Sequence, residues 1–203
     1  MSTALIVFAK APVAGFAKTR LIPALGPDGA ARLAERLLAH TLQQALALSV
    51  DHLELCVSPT DQHPAFERAR NAAPRRLHIT QQGDGDLGER MHRAFSRVLC
   101  SHARVLLIGT DAPSLNAALL GQAMQALDSH PAVFVPALDG GYALVGLTQP
   151  APELFQAMTW STPQVMDDTR VRAQRIGLPW LELPPVADID EPADLVHLPE
   201  GWQ

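Results

Sequence analysis

Positive charge is concentrated in one short loop near the start of this 203-residue sequence. Its only two lysines, Lys10 and Lys18, stand eight positions apart, and Arg20 follows closely. Gly15 lies between the lysines and allows the backbone to turn or to approach a ligand closely. Backbone N–H groups together with Lys and Arg side chains bind diphosphates and triphosphates. The loop is therefore a candidate phosphate-binding site, although it lacks the Gly-Lys pair of a Walker A motif and also fits a solvated basic loop.

Two aspartates are candidate ligands of a divalent cation. Asp111 directly follows the apolar run RVLLIGT, where a carboxylate has no packing role. Asp190 lies in the acidic segment ADIDEPADL, which also contains Asp188 as an alternative ligand. Mg²⁺ and Mn²⁺ prefer oxygen ligands and are often held by one or two carboxylates plus substrate phosphates. In the alternative reading, Asp111 stabilises a turn and Asp190 caps a helix that opens at Pro192.

A third segment combines a carboxylate with two glycines. Asp139-Gly140-Gly141 precedes Tyr142 and is typical of a hairpin turn. Glycines also let a ligand approach the backbone, and Asp139 could accept the proton of an acceptor hydroxyl group. The eight histidines show no metal-ligand spacing, and no serine lies in a G-x-S-x-G elbow, so a hydrolase triad is not predicted.

The overall composition limits the partners. A net charge of −5 and an aromatic content of 5% argue against nucleic-acid binding. No apolar run is long enough for a secretory signal or a membrane span, so we expect a cytoplasmic protein. The basic loop and the acidic C-terminal segment could meet around an anion and its metal ion, or they could remain separate solvated surfaces. Cys56 and Cys100 lie in apolar periodic segments and are predicted to be buried free thiols.

Strand and helix patterns alternate along the chain, which favours an α/β fold with a largely parallel sheet. Strands are predicted at residues 3–9, 52–58, 77–80, 104–109, 132–137, 142–147 and 180–183. Helices are predicted at residues 28–48, 61–71, 87–101, 116–129, 162–176 and from 191 onward. Asp86 and Glu89 form a capping box, Thr162-Pro163 is a helix start, and strands 132–137 and 142–147 form an antiparallel hairpin. Without linkers or repeats, residues 1–203 are predicted to be one domain. Ligands of parallel sheets collect at the carboxyl ends of strands, where all three candidate segments fall.

Six segments, taken in order, resemble a known family. They are FAKAPVAGFAKTRL, QQGDGDLGERM, IGTDAPSL, LDGGYALVGL, WST and DIDEPADL. The sequence resembles the bacterial radical-SAM/selenodomain-associated transferases, a glycosyltransferase-like family associated with arsenosugar-type glycosylation within the GT-A nucleotide-diphospho-sugar transferase superfamily. The AKTRL loop is also similar to phospholactate guanylyltransferase and, more distantly, to molybdenum-cofactor guanylyltransferases. The resemblance spans about residues 3–195.

The resemblance implies a Rossmann-like GT-A fold, a three-layer sandwich with a mostly parallel mixed sheet. It also implies roles for the candidate residues, by motif position. The phosphates would be bound by Lys10, Gly15, Lys18 and Arg20. Mg²⁺ or Mn²⁺ would be held by Asp111 and Asp190. The sugar or acceptor would face Asp139, Gly140, Gly141 and Tyr142.

The activity implied by the resemblance is metal-dependent transfer of a glycosyl group from a nucleotide-diphospho-sugar to a small acceptor. The segment Gly109-Thr110-Asp111 keeps only the last acid of the D-x-D motif of many glycosyltransferases, and the G-G-x-x-x-R loop of sugar-nucleotide pyrophosphorylases is missing. One alternative is a nucleotidyltransferase that uses a nucleoside triphosphate and releases pyrophosphate. A second is a nucleotide-binding module without catalysis. The same residues would serve in each case.

Overall fold

The computed structural model describes residues 1–202, which form a mixed sheet with helices on both faces. The seven strands of this span are β1 (Thr3–Lys10), β2 (His52–Ser58), β3 (Leu77–Gln81), β4 (Arg104–Ile108), β5 (Ala132–Pro136), β6 (Tyr142–Leu147) and β7 (Trp180–Glu182). Its five α-helices are α1 (Ile22–Leu46), α2 (Pro64–Ala72), α3 (Leu87–Leu99), α4 (Ala117–Ala126) and α5 (Val165–Arg175). Short 3₁₀ segments lie at Thr19–Leu21, Pro152–Leu154 and Pro192–His197.

The strands lie side by side in the order β3-β2-β1-β4-β6-β5-β7. All of them run in the same direction except β6, which is antiparallel to both of its neighbours. The predicted hairpin therefore supplies the one reversed strand of the described chain. The prediction of a mostly parallel mixed sheet is confirmed.

Alternation along β1 divides the interior into two layers. Leu5 and Val7 face one apolar cluster, whereas Ile6 and Phe8 face the other. Helices α1, α2 and α4 pack on the first face, and α3 and α5 pack on the second. A strand buried on both faces needs apolar residues at every position, which explains the continuous apolar run of β1.

A third, smaller cluster lies below the carboxyl edge of the sheet. It joins Leu21, the first half of α1 and Ile189, and both Leu21 and Ile189 are completely buried. Gly26, with φ of 69°, interrupts α1, so the helix enters this cluster through a kink at Gly26-Pro27. The predicted helix at 28–48 is therefore preceded by an extra helical turn and ends at Leu46.

Two predictions at helix starts have different outcomes. The capping box at α3 is confirmed, because the Asp86 side chain accepts from the Glu89 N–H and the Glu89 side chain accepts from the Asp86 N–H. The start predicted at Thr162-Pro163 is wrong, since α5 begins at Val165 with Gln164 at its N-cap position. The cause is a contact with the β5–β6 hairpin: Gly140 packs against Pro163, and the Met166 N–H donates to the Gly140 carbonyl oxygen.

The two cysteines are both free, but they differ in burial. Cys56 is buried in β2 as predicted, and burial raises the pKa of its thiol to about 11. Cys100 is exposed at the end of α3, so the prediction of a buried thiol is wrong there. Over the same residues 1–202, no helix has the length and hydropathy needed to cross a membrane.

Candidate functional site

The loop after β1 places one lysine inside the protein. Lys18 directly precedes the 3₁₀ turn at Thr19–Leu21 and has a left-handed backbone with φ of 48°. Its side chain is only 7% exposed, which is unusual for a lysine. The Lys18 Nζ atom lies 2.7 Å from Asp111 Oδ1 and 3.7 Å from Asp190 Oδ1, and it also donates to the Ile189 carbonyl oxygen.

The position of Asp190 follows from the packing of its neighbour. Ile189 packs with Leu21 in the third apolar cluster. This contact brings the residues adjacent to each, Asp190 and Arg20, to the surface side by side. The Arg20 Nη1 atom donates to Asp190 Oδ2 over 2.9 Å and lies 3.8 Å from Glu191 Oε1. The basic loop and the acidic C-terminal segment therefore meet in the folded chain.

Asp111 is held in place from two directions. The Ile189 N–H donates to the Asp111 carbonyl oxygen over 2.8 Å, which links the end of β4 to the acidic segment. From α1, His40 Nε2 forms a hydrogen bond with the Pro113 carbonyl oxygen, and Gln44 Oε1 accepts from the Ala117 N–H. The main chain around Asp111 is thus fixed while its carboxylate stays about half exposed.

Lys18, Arg20, Asp111 and Asp190 are called the Lys18 cluster below. Its two carboxylates and the Ile189 carbonyl are hard oxygen donors, which suit Mg²⁺ or Mn²⁺. Across residues 1–202, no group of three His, Cys, Asp or Glu side chains could hold a metal ion by itself. Two carboxylates suffice where substrate phosphates complete the coordination, so the donor set fits a cation that binds together with a nucleotide.

Lys10 and Gly15 lie outside these contacts. The exposed Lys10 side chain donates from Nζ to the Phe16 carbonyl oxygen over 2.8 Å and reaches neither carboxylate. Gly15 has φ of 80°, which favours glycine, and a Cβ atom there would meet no other atom within 4 Å. The space over Gly15 is open, as a phosphate-binding role requires.

Asp139 of the β5–β6 hairpin lines the same pocket as Arg20 and Asp190. Its Oδ1 atom accepts from the Gly141 N–H over 2.8 Å, which is the turn geometry expected from the sequence. A Cβ atom at Gly140, where φ is 92°, would lie 2.1 Å from the Pro163 carbonyl oxygen. Gly140 is therefore required by packing. The half-buried Tyr142 ring packs near Phe134 and Trp160, and burial raises the pKa of its hydroxyl well above the ordinary value.

A pocket of about 290 Å³ lies between the hairpin and two members of the Lys18 cluster, Arg20 and Asp190. Its ionisable lining residues are Arg20, Asp139, Asp188, Asp190, Glu191, Asp194 and His197. Burial raises the pKa of Asp188 to about 6, and the negative charge of Asp139 acts in the same direction. Asp188 lies beside the hairpin because Val186 pairs with Ala137 in parallel. Asp190, not Asp188, is the residue next to Lys18 and Arg20.

The role of Ile189 is not predicted from the sequence. Its carbonyl accepts from Lys18 and its N–H donates to Asp111, so its main chain joins the two candidate metal ligands. The alternation Asp-Ile-Asp at 188–190 is the signal in the sequence, since it places the apolar side chain inside and the carboxylates outside. Sequence analysis also named Asp190 as a possible helix cap, whereas the N-cap residue of the last 3₁₀ segment is Glu191.

Comparison with known proteins gives a family and a fold. A family model described as "Uncharacterized protein conserved in bacteria (DUF2064)" matches residues 41–162. The structure is similar to a crystal structure from Desulfovibrio desulfuricans G20, provisionally assigned as a nucleotide-diphospho-sugar transferase. The two share 32% sequence identity and a TM-score of 0.87, over 96% of this chain and 85% of the other. No match was found among curated proteins.

More distant structures share the Rossmann-like α/β fold alone. A 4-diphosphocytidyl-2C-methyl-D-erythritol synthase from Anaerococcus prevotii has a TM-score of 0.66 at 11% identity, over 97% of this chain and 93% of that one. Rv0371c from Mycobacterium tuberculosis H37Rv, solved as a complex with manganese, has a TM-score of 0.58 at 18% identity, over 99% and 100%. The expected fold class is confirmed, whereas the radical-SAM association stays a prediction.

Proposed function

This chain belongs to the DUF2064 family of bacterial proteins, and we propose that it is a metal-dependent glycosyltransferase which uses a nucleotide-diphospho-sugar donor and a small acceptor. The observation that carries the proposal is the Lys18 cluster, where a buried ammonium joins two partly exposed carboxylates, one from the middle of the chain and one from its C-terminal segment. The similarity to a structure assigned to the same class of transferase, at 32% identity over nearly the whole chain, supports it.

The nucleotide diphosphate would lie over the loop after β1. There it would receive charge-assisted hydrogen bonds from Lys18 and Arg20 and, at the outer end of the loop, from Lys10. These cations would stabilise the negative charge that develops on the departing diphosphate, the dominant electrostatic contribution in reactions of this kind. A divalent cation held by Asp111 and Asp190 would supply Lewis-acid neutralisation of the same charge.

The acceptor would enter the pocket beside the hairpin. Its hydroxyl oxygen would form the new bond to the anomeric carbon, the bond from that carbon to the diphosphate oxygen would break, and the hydroxyl proton would go to Asp139. Asp139 suits this role because its carboxylate lines the pocket and its Oδ1 atom is oriented by the Gly141 N–H. Gly140 and Gly141 do not line this pocket, and Gly140 packs against Pro163, so their part here would be to form the turn that orients Asp139.

Nucleotidyl transfer is the alternative chemistry for the same residues. An acceptor phosphate would attack the α-phosphorus of a nucleoside triphosphate, and pyrophosphate would leave in place of a nucleoside diphosphate. Lys18, Arg20 and Lys10 would then bind the pyrophosphate group. A non-catalytic nucleotide-binding module would use these contacts without turnover, and Gly109 in place of the first D-x-D acid is the feature that favours it.

Product analysis separates these functions. The purified protein would be incubated with Mn²⁺ and, in turn, with nucleotide-diphospho-sugars and nucleoside triphosphates, each with pooled small hydroxyl and phosphate acceptors. Release of a nucleoside diphosphate that depends on the acceptor supports glycosyl transfer. Release of pyrophosphate contradicts it and assigns nucleotidyl transfer. Saturable nucleotide binding without either product would leave the non-catalytic module.

A further inference from the structure

The Lys18 ammonium occupies a cradle made of three oxygen atoms. They come from the Asp111 carboxylate, the Asp190 carboxylate and the Ile189 carbonyl. Carboxylate and carbonyl oxygens are also the ligands that hard divalent cations prefer. The same oxygen atoms that would bind a metal ion are therefore already in contact with a cation of the chain.

The backbone conformation that holds this ammonium in place is energetically unfavourable. Lys18 has a left-handed backbone, a conformation that non-glycine residues adopt only where their surroundings impose it. Its side chain is 7% exposed, so its interaction with the carboxylates is screened little by salt. The two positive side chains of the Lys18 cluster, Lys18 and Arg20, balance its two carboxylates, and the cluster is neutral without any ligand.

We propose that Lys18 competes with the divalent cation for Asp111 and Asp190 in the free protein, and that a bound diphosphate relieves this competition by becoming the new partner of the ammonium. The inference rests on the proposed function, because it takes the two aspartates as the metal ligands. Metal and nucleotide then bind as a pair. The free protein keeps its two carboxylates together without metal.

The competition follows from charge. A divalent cation placed among these oxygens meets an ammonium that contacts the same atoms, and the repulsion is strong because the ammonium is buried. A diphosphate offers the ammonium new oxygen partners and adds negative charge that the metal ion can share. Coupling between two ligands is reciprocal and is typically about 5–150-fold in affinity. We therefore expect diphosphate to tighten metal binding by a factor in this range, and metal to tighten diphosphate binding equally.

Titration with Mn²⁺ tests the inference without any assay of activity. Mn²⁺ binding to the full chain would be measured calorimetrically or by electron paramagnetic resonance, with and without inorganic pyrophosphate as the phosphate probe. The test variant is Lys18→Met, which keeps the length of the buried stem and removes the charge. The matched control is Arg75→Met, which removes one positive charge from an exposed side chain between α2 and β3, outside the candidate site.

We expect Lys18→Met to bind Mn²⁺ alone at least about tenfold more tightly than the wild type, and to lose most of the gain that pyrophosphate gives. Arg75→Met should bind Mn²⁺ alone like the wild type. If the wild type binds Mn²⁺ with pyrophosphate but Lys18→Met binds Mn²⁺ alone no more tightly, the inference is wrong and the proposed metal site stands. If neither protein binds Mn²⁺ under either condition, both are wrong.

The folding of the variant is checked separately, because removal of Lys18 leaves two carboxylates without their buried partner. Circular dichroism and thermal unfolding would compare Lys18→Met with the wild type. Lys18→Gln is the second variant, since its neutral amide can still donate to Asp111. The same tightening of Mn²⁺ binding is expected there. Wild-type affinity in a folded Lys18→Gln protein would overturn the inference.

Discussion

Two clusters of paired acidic and basic side chains in this protein are built in opposite ways. The Glu54 cluster consists of Glu54 in β2 with Arg97, Thr80 and His52. Its carboxylate is 0% exposed, and Arg97 contacts both of its oxygen atoms while the Thr80 hydroxyl donates to Oε1. In the Lys18 cluster the buried group is the cation, and the carboxylates of Asp111 and Asp190 are 52% and 39% exposed.

The difference shows what each cluster can do. Every oxygen of Glu54 has a partner within the chain, so this cluster can stabilise the fold but offers nothing to a ligand. Burial acts to raise the pKa of Glu54, but the hydrogen bonds from Arg97, Thr80 and His52 outweigh it and keep the pKa below the usual range. The Lys18 cluster leaves its carboxylates open to solvent, where a metal ion and phosphates can reach them.

The largest expected effect is on catalysis by the Lys18 cluster. Asp111→Asn removes a charge at the metal and phosphate site, and loss of one such group typically lowers kcat by about 10²–10³-fold. Because the Asp111 carboxylate is half exposed, the variant should remain folded. Turnover of the best donor and the circular dichroism spectrum would be measured together.

The control for this prediction is Asp128→Asn. Asp128 forms an ion pair with Arg104 at a distance from the candidate site, and its side chain is well exposed. This variant should keep wild-type turnover. Near-normal turnover of Asp111→Asn would remove Asp111 from the mechanism and with it the functional contrast between the clusters.

The second largest effect is on the stability that the Glu54 cluster gives to the protein. Glu54→Gln removes the charged acceptor of the Arg97 and Thr80 hydrogen bonds, and we expect a loss of about 1.5–3 kcal/mol in the free energy of unfolding. Urea unfolding would measure it. Nucleotide and Mn²⁺ binding by the folded variant should not change. A free energy of unfolding equal to that of the wild type would show that the Glu54 cluster does not stabilise the fold.

The stability difference between the wild type and Glu54→Gln should depend on pH, and the lowered pKa of Glu54 sets the direction of that dependence. The folded-state pKa of Glu54 is lowered, so its contribution is fully present above the unfolded-state pKa of about 4.3. That contribution is lost as the pH falls through the folded-state pKa. The stability difference between the wild type and Glu54→Gln should be constant from pH 7 to about pH 5 and shrink below about pH 4. A difference that grows on acidification would contradict this assignment.

The smallest expected effect is the stability contribution of Arg20. Its side chain is 57% exposed, and exposed ion pairs are worth about 0.2–1 kcal/mol. Arg20→Gln should therefore unfold at nearly the same urea concentration as the wild type but bind pyrophosphate more weakly. A loss of stability as large as that of Glu54→Gln would mean that the Lys18 cluster is also a structural one.

Much of the framework could be predicted from the sequence because the signals are local. The apolar run of β1, the period of the helices and the capping box at Asp86 and Glu89 each act over a few residues. Ligands gather at the carboxyl ends of parallel strands, and the loops that contain Lys18, Asp111 and Asp139 follow such strand ends. The sequence therefore predicts that the three residues lie at one edge of the sheet.

The interior of the site could not be predicted, because it depends on contacts between distant segments. Glu54 in the apolar strand HLELCVS needs a partner, but Arg97 lies 43 residues later on α3. That Lys18 turns inward follows from its positive φ and from the packing of Ile189 against Leu21, 168 residues away in sequence. The alternation at 188–190 indicates that Ile189 is buried, but nothing in the sequence names the partner in either contact, and the same holds for the shift of the α5 start caused by Gly140 and Pro163.

The most direct test of the central claim is a thermal-unfolding panel of wild type and Asp111→Asn with nucleoside triphosphates and nucleotide-diphospho-sugars, each with and without Mn²⁺. A ligand at about 100 times its Kd adds about 2.7 kcal/mol of stability, which for a chain of this length raises Tm by roughly 5–11 °C. We expect a shift of this size for the wild type with one nucleotide-diphospho-sugar, dependent on Mn²⁺ and absent from Asp111→Asn. An equal shift in both proteins, or no shift with any nucleotide, would contradict it.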